Sequence, residues 1–316
     1  MNEAQIVARV RELFSSRIGD DAAIVPVENG DQVLTTDMLV EDVDFTRATP
    51  LRLIARKSLA VNLSDLAAMG ATPSHALLAL ALPEWARENV DEMLIAYAET
   101  AKGYGIEIVG GDLSRAEKLT VAITAIGRVV TRPLLRSGAK PGDRLFVSRP
   151  IGGSAAGLAL LQRASDARGY AEVEFVESAI RRHRDPEPEV ALGMALAAIK
   201  EVTSCIDISD GLSSDLHHLC DASQCGAEVE KERIPVFPDL LSHGPKLGIA
   251  VRDAVLHGGE EYALLFTASL TESQLSTRLG RPVYAIGRMT RAQGVLLKED
   301  GVPRALAPGG FDHFAR

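Results

Sequence analysis

The sequence is poor in cysteine, in aromatic residues and in long apolar runs. Three of its 316 residues are cysteine and 4% are aromatic. So few cysteines, odd in number, do not form a disulfide framework in a chain of this length, and we expect a protein of the reducing cytoplasm. The longest apolar runs, such as residues 76–82, are far shorter than the roughly 20 residues that cross a bilayer. We therefore expect no membrane partner.

The first residues also lack the pattern of a secretory signal. MNEAQIVARVRELF places apolar residues at the spacing of an amphipathic helix, with charged residues between them. No uninterrupted apolar segment follows the start, so we expect this stretch to be a helix of the mature protein.

An excess of basic residues is missing as well. The formal net charge is −9, which argues against binding to the phosphate backbone of nucleic acid, because such binding needs a basic surface. A phosphate-bearing ligand would be repelled by this chain unless divalent cations stood between the two. An acidic protein that handles phosphate therefore implies metal.

Several catalytic motifs do not occur. The chain has neither a Walker P-loop nor a Gly-x-Ser-x-Gly nucleophile elbow. A pair of glycosidase carboxylates would leave most of the acidic clusters described below unexplained. His217, His218, Cys220 and Cys225 lie close enough in sequence for a zinc site, but the Cys-x2-Cys spacing is absent. Their segment has the pattern of an amphipathic helix, which we favour.

Strand and helix patterns alternate along the first half of the chain, which predicts an α/β layer. Strands are predicted over 22–26, 33–36, 76–82 and 119–130, with helices over 50–69 and 85–102. The polar turn cluster RSGAKPGD at 136–143 then precedes a new strand, and we place a domain boundary there. The second half is predicted to contain helices over 151–161, 190–200 and 210–222 and strands ending near residues 207, 266 and 287.

Short polar clusters that contain Asp or Glu recur at the ends of apolar segments. They are GDD at 19–21, TTD at 35–37, NLSD at 62–65, GGD at 110–112, DISDG at 207–211 and GGEE at 258–261. Asp20 and Asp21 cannot both face water if their run is extended, so at least one of them needs a partner. Asn62 and Asp65 lie three residues apart on a helix and can reach one point. Oxygen ligands of this kind suit Mg²⁺ bridged to phosphates.

As a set, these segments resemble one known family, the thiamine-monophosphate kinases. The resemblance is carried, in chain order, by IGDDAA, TTDMLVE, LAVNLSDLAAMGATP, IVGGD, RSGAKPGD, SAAGLALL, IDISDGLSSDL, HGGEEYALLF and GFDHF. These segments span nearly the whole chain. The family belongs to the aminoimidazole ribonucleotide synthetase-like superfamily, whose members bind ATP without a P-loop.

The resemblance implies a two-domain fold of the α/β (α+β) class. Residues 1–136 would form an N-terminal α/β domain that binds ATP and metal and pairs with its twin in a homodimer. Residues 137–316 would form a C-terminal α+β domain. The implied reaction transfers the γ-phosphoryl group of ATP to thiamine monophosphate, with several Mg²⁺ ions and with no residue assigned as general base.

The site residues implied by the resemblance fall into three sets. Metal ligands are implied at Asp21, Thr35, Thr36, Asp37, Asp65, Asp112, Asp207 and Asp210. ATP contacts are implied at Tyr104, Gly111, Asp112, Arg136 and Ser209. Contacts with thiamine monophosphate are implied at Asp44, Glu260 and Phe311, of which the phenyl ring is suited to stacking on an aromatic ring.

Two segments depart from the family pattern. Asp44 stands where the family's VEGVHF has a substrate-contacting histidine, and GGEDYEL is replaced by a segment with Glu261 for Asp and Ala263 for Glu. We expect altered binding of the substrate rather than loss of the chemistry. The alternative for Asp44 is a solvated loop carboxylate.

Two other readings of the function stay open at this point. One is a sister enzyme of the same superfamily, namely selenophosphate synthetase, aminoimidazole ribonucleotide synthetase or a hydrogenase-maturation protein. Selenophosphate synthetase would need a reactive cysteine or selenocysteine early in the chain, and a hydrogenase-maturation protein would need a cysteine near its end, whereas the three cysteines here lie at 205, 220 and 225. The other is a non-catalytic nucleotide-binding regulator, which turnover measurements distinguish from an enzyme.

Overall fold

A computed structural model describes residues 3–14, 19–28, 30–163 and 173–311, which form helices and two β-sheets. The helices are α1 (Glu3–Leu13), α2 (Leu51–Ala68), α3 (Glu84–Arg87), α4 (Val90–Tyr104), α5 (Gly153–Gln162), α6 (Val173–Arg184), α7 (Val190–Ala198), α8 (Leu212–Ser223), α9 (Leu240–His243), α10 (Val251–Leu256) and α11 (Glu272–Leu279). The strands are β1 (Ala23–Val27), β2 (Gly30–Val40), β3 (Thr72–Leu82), β4 (Glu107–Arg115), β5 (Thr120–Arg128), β6 (Arg144–Val147), β7 (Val202–Asp207), β8 (Gly226–Glu230), β9 (Leu264–Ala268), β10 (Tyr284–Thr290), β11 (Val295–Glu299) and β12 (Val302–Ala305).

The first sheet has the strand order β1-β2-β5-β3-β4, and only its last pair is parallel. Its helix-facing side buries Val33, Leu80 and Ile123, and α2 packs on that side. Successive side chains of a strand point to opposite faces. Met38 and Leu77 therefore lie on the other face, where they are exposed.

The helix α2 is the central element of the fold. It packs against the first sheet, and also against α7 and β7 of the second half. Nearly all of its residues are buried, Lys57, Asn62 and Ser64 among them. In a helix that is buried on all sides, each polar side chain needs a hydrogen-bonding or charged partner. Lys57 and Ser64 accordingly pair with side chains of the second half, whereas Asn62 accepts a backbone N–H group of β2.

The second sheet has the order β12-β11-β8-β10-β6-β9-β7. Its edge strand β7 ends at Asp207, and α8 begins a few residues later. The hydrophobic core around the first sheet includes Phe146, Leu196 and Phe266 from the second half. The two halves thus share apolar contacts along α2.

The predicted fold class is confirmed: the structure is mixed α/β with one sheet in each half. Most predicted elements are present, but β2 is longer than the segment 33–36, and the helix predicted over 85–102 is divided into α3 and α4. The division at 136/137 stays a prediction. In the part of the chain that the structure describes, no helix has the length and apolarity needed to cross a membrane.

The crossing of α2 and α7 depends on Gly193. A Cβ atom built there would lie 1.9 Å from the carbonyl oxygen of Ala67, a backbone atom that cannot move aside alone. We predict that Gly193→Ala lowers the free energy of unfolding by about 3 kcal/mol, the upper part of the range for overpacking. Chemical denaturation followed by circular dichroism measures this.

The matched control is Gly103→Ala in α4, where a Cβ atom would meet nothing within 4 Å. Replacing glycine by alanine inside a helix there should raise stability by about 0.5–1 kcal/mol. Equal effects of the two substitutions would contradict the close crossing of α2 and α7.

Candidate active site

A cavity of about 1540 Å³ lies between α1, the segment 19–26, the segment 135–137, α8 and the segment 308–311. Four residues implied by the resemblance line it: Arg136, Ser209, Asp210 and Phe311. The backbone N–H of Phe311 donates to the carbonyl oxygen of Asp210 at 3.1 Å. The structure therefore brings together residues as distant in sequence as Arg136 and Phe311.

Arg136 is the partner of both carboxylates in the GDD cluster. Its backbone N–H donates to Asp20 Oδ1 at 2.9 Å, and its Nη2 donates to Asp21 Oδ1 at 2.8 Å. The sequence-based expectation that at least one of the two aspartates needs a partner is confirmed. Asp21 Oδ2 is buried and has no hydrogen-bond partner among the described residues.

Three carboxylates converge beside this cavity. Carboxylate oxygens of Asp21, Asp65 and Asp207 lie within 4.8 Å of one another. Each comes from a different element: Asp21 precedes β1, Asp65 is in the last turn of α2, and Asp207 ends β7. Asp65 accepts a hydrogen bond from Thr35 Oγ1, and Asp207 accepts one from Ser64 Oγ at 2.5 Å.

Asp37 extends the cluster from β2. Its backbone N–H donates to Asn62 Oδ1 at 3.1 Å, and its carboxyl group is hydrogen-bonded to Asp65. Asn62 and Asp65 thus meet at one point, as their spacing predicted.

The electrostatic consequence is that these carboxyl groups hold protons unusually well. Burial, followed by the Asp44 and Asp21 carboxylates, raises the pKa of Asp37 to about 6. Burial and Asp21 raise the pKa of Asp207 to about 8, and burial with Asp37 and Asp207 raises the pKa of Asp65 well above its ordinary value. Burial also raises the pKa of Asp21, although Arg136 acts in the opposite direction.

Glu260 behaves in the opposite way because Lys57 and His183 contact its carboxylate. Its Oε1 lies 2.5 Å from Lys57 Nζ, and its Oε2 lies 3.0 Å from His183 Nδ1. Burial works against the charged form, but Lys57 and His183 outweigh it and lower the pKa of Glu260 to about 2. Its backbone N–H donates to the carbonyl oxygen of Ser209 at 2.7 Å, which ties it to the wall of the cavity.

Asp44, which departs from the family pattern, is half-buried and faces the acidic cluster. One carboxylate oxygen of Asp44 accepts a hydrogen bond from the backbone N–H of Val40 at 2.7 Å. The backbone carbonyl oxygen of Asp44 accepts one from Lys57 Nζ at 3.4 Å. Its charge contributes to the raised pKa of Asp37. These contacts do not fit a fully solvated loop carboxylate.

The departure at Glu261 has a structural explanation. Its Oε1 accepts the backbone N–H groups of Gly152 and Ser154, each at 2.8 Å, at the start of α5. The first amides of a helix have no partner within the helix, so a carboxylate there stabilises it. The glycines of this start pack closely, because a Cβ at Gly153 would lie 2.5 Å from the Phe237 ring. Close packing accounts for these glycines.

Two residues that the resemblance implies as metal ligands, Thr36 and Asp112, are not brought to the cluster within one chain. The Thr36 side chain lies on the opposite face of β2 from Asp37, where its Oγ1 is 2.8 Å from Thr124 Oγ1. Asp112 is exposed on the edge strand β4, paired with Ala79. Two strands separate β4 from β2, which places Asp112 three strand spacings, roughly 14 Å, from β2 and on its outer face.

Gly111 is required on β4 for a packing reason, since a Cβ there would lie 1.7 Å from the carbonyl oxygen of Leu78.

Tyr104, at the end of α4, lines a second cavity of about 800 Å³ with Arg149, Arg182 and Arg281. Within a single chain, therefore, Tyr104, Gly111 and Asp112 are separate from the cavity that holds the other residues.

A second convergence of ligand-type atoms includes residues that the sequence reasoning missed. Oxygen or nitrogen atoms of Asp210, Asp215 and His218 lie within 4.8 Å of one another at the cavity wall. Asp215 Oδ2 accepts the backbone N–H groups of Asp210 and Gly211.

The zinc alternative is not supported by side-chain placement. Cys220 and Cys225 are buried in the core of the second half, and His217 Nδ1 contacts the carbonyl oxygen of Ser213. Among the described residues, neither convergent ligand group contains a cysteine.

Lys57, Ser64 and His183 were also missed. Each acts on a partner far along the chain, such as Ser64 on Asp207, and sequence spacing carries no signal for such a pair. The one available hint was a lysine among the apolar residues of a helix predicted to be buried, because a buried lysine needs a partner.

Comparisons with known proteins agree on one family. The family models "AIR synthase related protein, N-terminal domain" and "AIR synthase related protein, C-terminal domain" match residues 19–129 and 140–298. The thiamine-monophosphate kinase of Escherichia coli K12 is 39% identical over 305 residues, covering 94% of this chain and 91% of the relative. That of Bacillus subtilis strain 168 is 38% identical and covers 94% and 93%.

The comparison of structures gives the same result. The solved structure of AaThiL complexed with AMPPCP and TMP superposes with a TM-score of 0.88 at 32% identity, covering 99% of this chain and 97% of that one. The resemblance inferred from the sequence motifs is confirmed. This chain belongs to the AIR synthase-related proteins and, within them, to the thiamine-monophosphate kinase family.

Proposed function

We propose that this chain is an ATP-dependent kinase that phosphorylates thiamine monophosphate to thiamine diphosphate. Relatives of that name match it over nearly their whole length, and the superposed AaThiL structure contains AMPPCP and TMP. Within this molecule, the observation that carries the proposal is the convergence of Asp21, Asp65 and Asp207 beside a cavity lined by Arg136 and Ser209. This is the arrangement that a metal-assisted phosphoryl transfer needs.

The residues present fit Mg²⁺. The converging donors of Asp21, Asp65 and Asp207 are all carboxylate oxygens, which hard divalent cations prefer. The buried, unpartnered Asp21 Oδ2 is a second, independent indication, since a buried acceptor without a partner is costly. We propose Asp21, Asp37, Asp65 and Asp207 as holders of Mg²⁺, with Thr35 orienting Asp65. When bound, Mg²⁺ neutralises phosphate charge and so lowers the repulsion between two anionic reactants.

The chain's own residues position the reactants. Arg136 supplies positive charge at the cavity wall, where Asp20 fixes its backbone and Asp21 its guanidinium. An oxygen of the acceptor phosphate attacks the γ-phosphorus of ATP, while the bond from that phosphorus to the β,γ-bridging oxygen breaks and ADP leaves. A phosphate is already anionic at neutral pH, so positioning and electrostatics suffice without a general base.

We propose that Glu260, Phe311 and the Asp44 segment bind thiamine monophosphate. Glu260 is held as an anion, which suits the positively charged thiazolium ring. The aromatic ring of Phe311 is partly exposed at the cavity wall and can stack on a ring of the substrate. Ser209 connects the two parts of the site, because its carbonyl oxygen accepts the backbone N–H of Glu260.

We also propose that the chain forms a homodimer through the outer face of the first sheet. Met38 and Leu77 lie there and are 57% and 44% exposed. An exposed apolar sheet face is typical of an interface. Thr36 and Asp112 lie on this same face. We propose that Thr36 and Asp112 act as metal ligands in the dimer. We likewise propose that Gly111 and Tyr104 bind ATP in the dimer.

The first prediction tests the function. Wild-type protein should convert thiamine monophosphate and ATP to thiamine diphosphate and ADP in the presence of Mg²⁺. Asp65→Asn should fold but turn over at least about a hundredfold more slowly, since loss of a metal ligand removes several kcal/mol of transition-state stabilisation. Coupled detection of ADP measures both.

The control is Asp253→Asn, which neutralises an exposed aspartate of α10 and should leave turnover unchanged. ATP binding without any turnover by the wild type would instead support a nucleotide-binding regulator. Near-normal turnover by Asp65→Asn would exclude Asp65 as an essential ligand.

The second prediction tests assembly. Light scattering at micromolar concentration should give twice the 33.7 kDa mass of one chain. Met38→Asp should shift the protein to monomer, because a buried unpaired charge at an interface is strongly unfavourable. Val302→Asp, at a comparably exposed apolar position on β12, should leave the mass unchanged. A wild-type mass of one chain would count decisively against this interface.

A further inference from the structure

The side chain of Glu260 is held by residues from both halves of the molecule. Lys57, from the middle of α2, contacts Oε1 at 2.5 Å, and His183, from the end of α6, contacts Oε2 at 3.0 Å. His183 Nδ1 in turn lies 3.2 Å from Ser154 Oγ on α5. Both carboxylate oxygens therefore have a partner, and the carboxylate is restrained in position and in orientation.

The backbone of Glu260 is restrained as well. Its φ angle is 59°, in the left-handed region that residues other than glycine seldom adopt. Its N–H donates to the carbonyl oxygen of Ser209, and the N–H of Tyr262, also at positive φ, donates to that of Ile208. Unfavourable backbone conformations persist only where surrounding contacts impose them, and they concentrate at functional sites. Contacts of both the backbone and the side chain therefore fix the position of the Glu260 carboxylate.

The side chain of Lys57 is buried, which is rare for a lysine unless it is paired. It is 4% exposed and lies in α2, most of whose residues are buried. Lys57 Nζ also donates a longer hydrogen bond, of 3.4 Å, to the carbonyl oxygen of Asp44. Replacing a buried ion pair by apolar residues is often neutral or stabilising, so such a pair is weak evidence for a purely structural role.

We propose that Lys57 and His183 are positioning residues for substrate binding, which fix the Glu260 carboxylate so that it binds the cationic ring of thiamine monophosphate. Neither residue needs to contact the substrate. This inference rests on the proposed function and deepens it, because it assigns substrate affinity to two residues outside the cavity lining. Without Lys57, burial opposes the charged form of Glu260, and one of its oxygens loses its partner.

The neighbouring residue provides a matched control. Arg56 also lies on α2 and also bridges the two halves, since its Nε lies 2.7 Å from Asp185 Oδ1. Among the described residues, Arg56 forms its ion pair with Asp185, whereas the ion pairs of Glu260 are with Lys57 and His183. Lys57→Met and Arg56→Met therefore each remove a cation of α2 that pairs with the second half, but only the first removes a contact of Glu260.

The test is steady-state kinetics with each substrate varied in turn. Lys57→Met should raise the KM for thiamine monophosphate at least about tenfold, while the KM for ATP and kcat change by less than about threefold. Arg56→Met should keep both KM values near those of the wild type. Lys57→Arg, which keeps the charge, should recover part of the affinity. An unchanged or lower KM for thiamine monophosphate in Lys57→Met would overturn the proposal.

A double-mutant cycle tests the route of the effect. If Lys57 acts through Glu260, Lys57→Met in a Glu260→Gln background should raise the KM by no more than about twofold beyond Glu260→Gln alone. Fully additive effects would show that Lys57 acts independently of Glu260 and would overturn the proposal. Should Lys57→Met fail to fold, His183→Gln is measured in the same cycle with the same expectations.

These outcomes are distinguishable from failure of the proposed function. If the wild type does not turn over thiamine monophosphate, the function is wrong. If the wild type is active but Lys57→Met matches Arg56→Met, the function stands and the positioning role is wrong.

Discussion

Repulsion among carboxylates packed into one place is the constraint on which the rest of this structure depends. Asp21, Asp65 and Asp207 converge within 4.8 Å, and Asp37 is hydrogen-bonded to Asp65. Such groups lose hydration and repel one another, so each favours its protonated form until a cation binds. The raised pKa values of all four report that cost. The four carboxylates come from four separate parts of the chain: the segment before β1, the strands β2 and β7, and the helix α2.

The helix α2 connects this anionic cluster to the neighbouring region where charge is balanced. Its last turn contributes Asp65, and Ser64 holds Asp207 of the second half. Two turns earlier, Lys57 pairs with Glu260, whose pKa is lowered instead of raised. The helix α2 therefore contributes both to a cluster of carboxylates with raised pKa values and to the ion pair that lowers the pKa of Glu260. We connect the first group with metal and phosphate and the second with the cationic ring of the substrate.

Much of this arrangement follows from the sequence, but not all of it. The spacing of Asn62 and Asp65 predicts that both reach one point, and both meet Asp37. The adjacent carboxylates of Asp20 and Asp21 predict a partner, but only the tertiary structure identifies it as Arg136, more than a hundred residues later. Local periodicity determines which face a residue occupies, and it does not say which distant element covers that face.

Two further features that the sequence does not predict have the same physical origin. Thr36 belongs to the motif TTD, yet strand alternation turns its side chain away from the cluster that Thr35 and Asp37 join. Lys57 and His183 have no motif at all, because their role is defined by Glu260, which lies far from both in sequence. Sequence motifs predicted the kind of chemistry, but only the tertiary structure shows which other residues contact and orient the site residues.

The most direct test is thermal unfolding of the protein in EDTA and in Mg²⁺ between pH 5 and pH 8. The folded apoprotein holds protons on Asp37, Asp65 and Asp207 that the unfolded chain releases above about pH 4. The stabilisation from these groups is therefore complete at low pH and is lost as pH rises through about 6 and then about 8. Mg²⁺ replaces those protons, so the increase in Tm caused by Mg²⁺ should be larger at pH 8 than at pH 6, and Asp65→Asn should diminish it. An increase that is absent at every pH, or larger at pH 6, would contradict a carboxylate cluster built for cations.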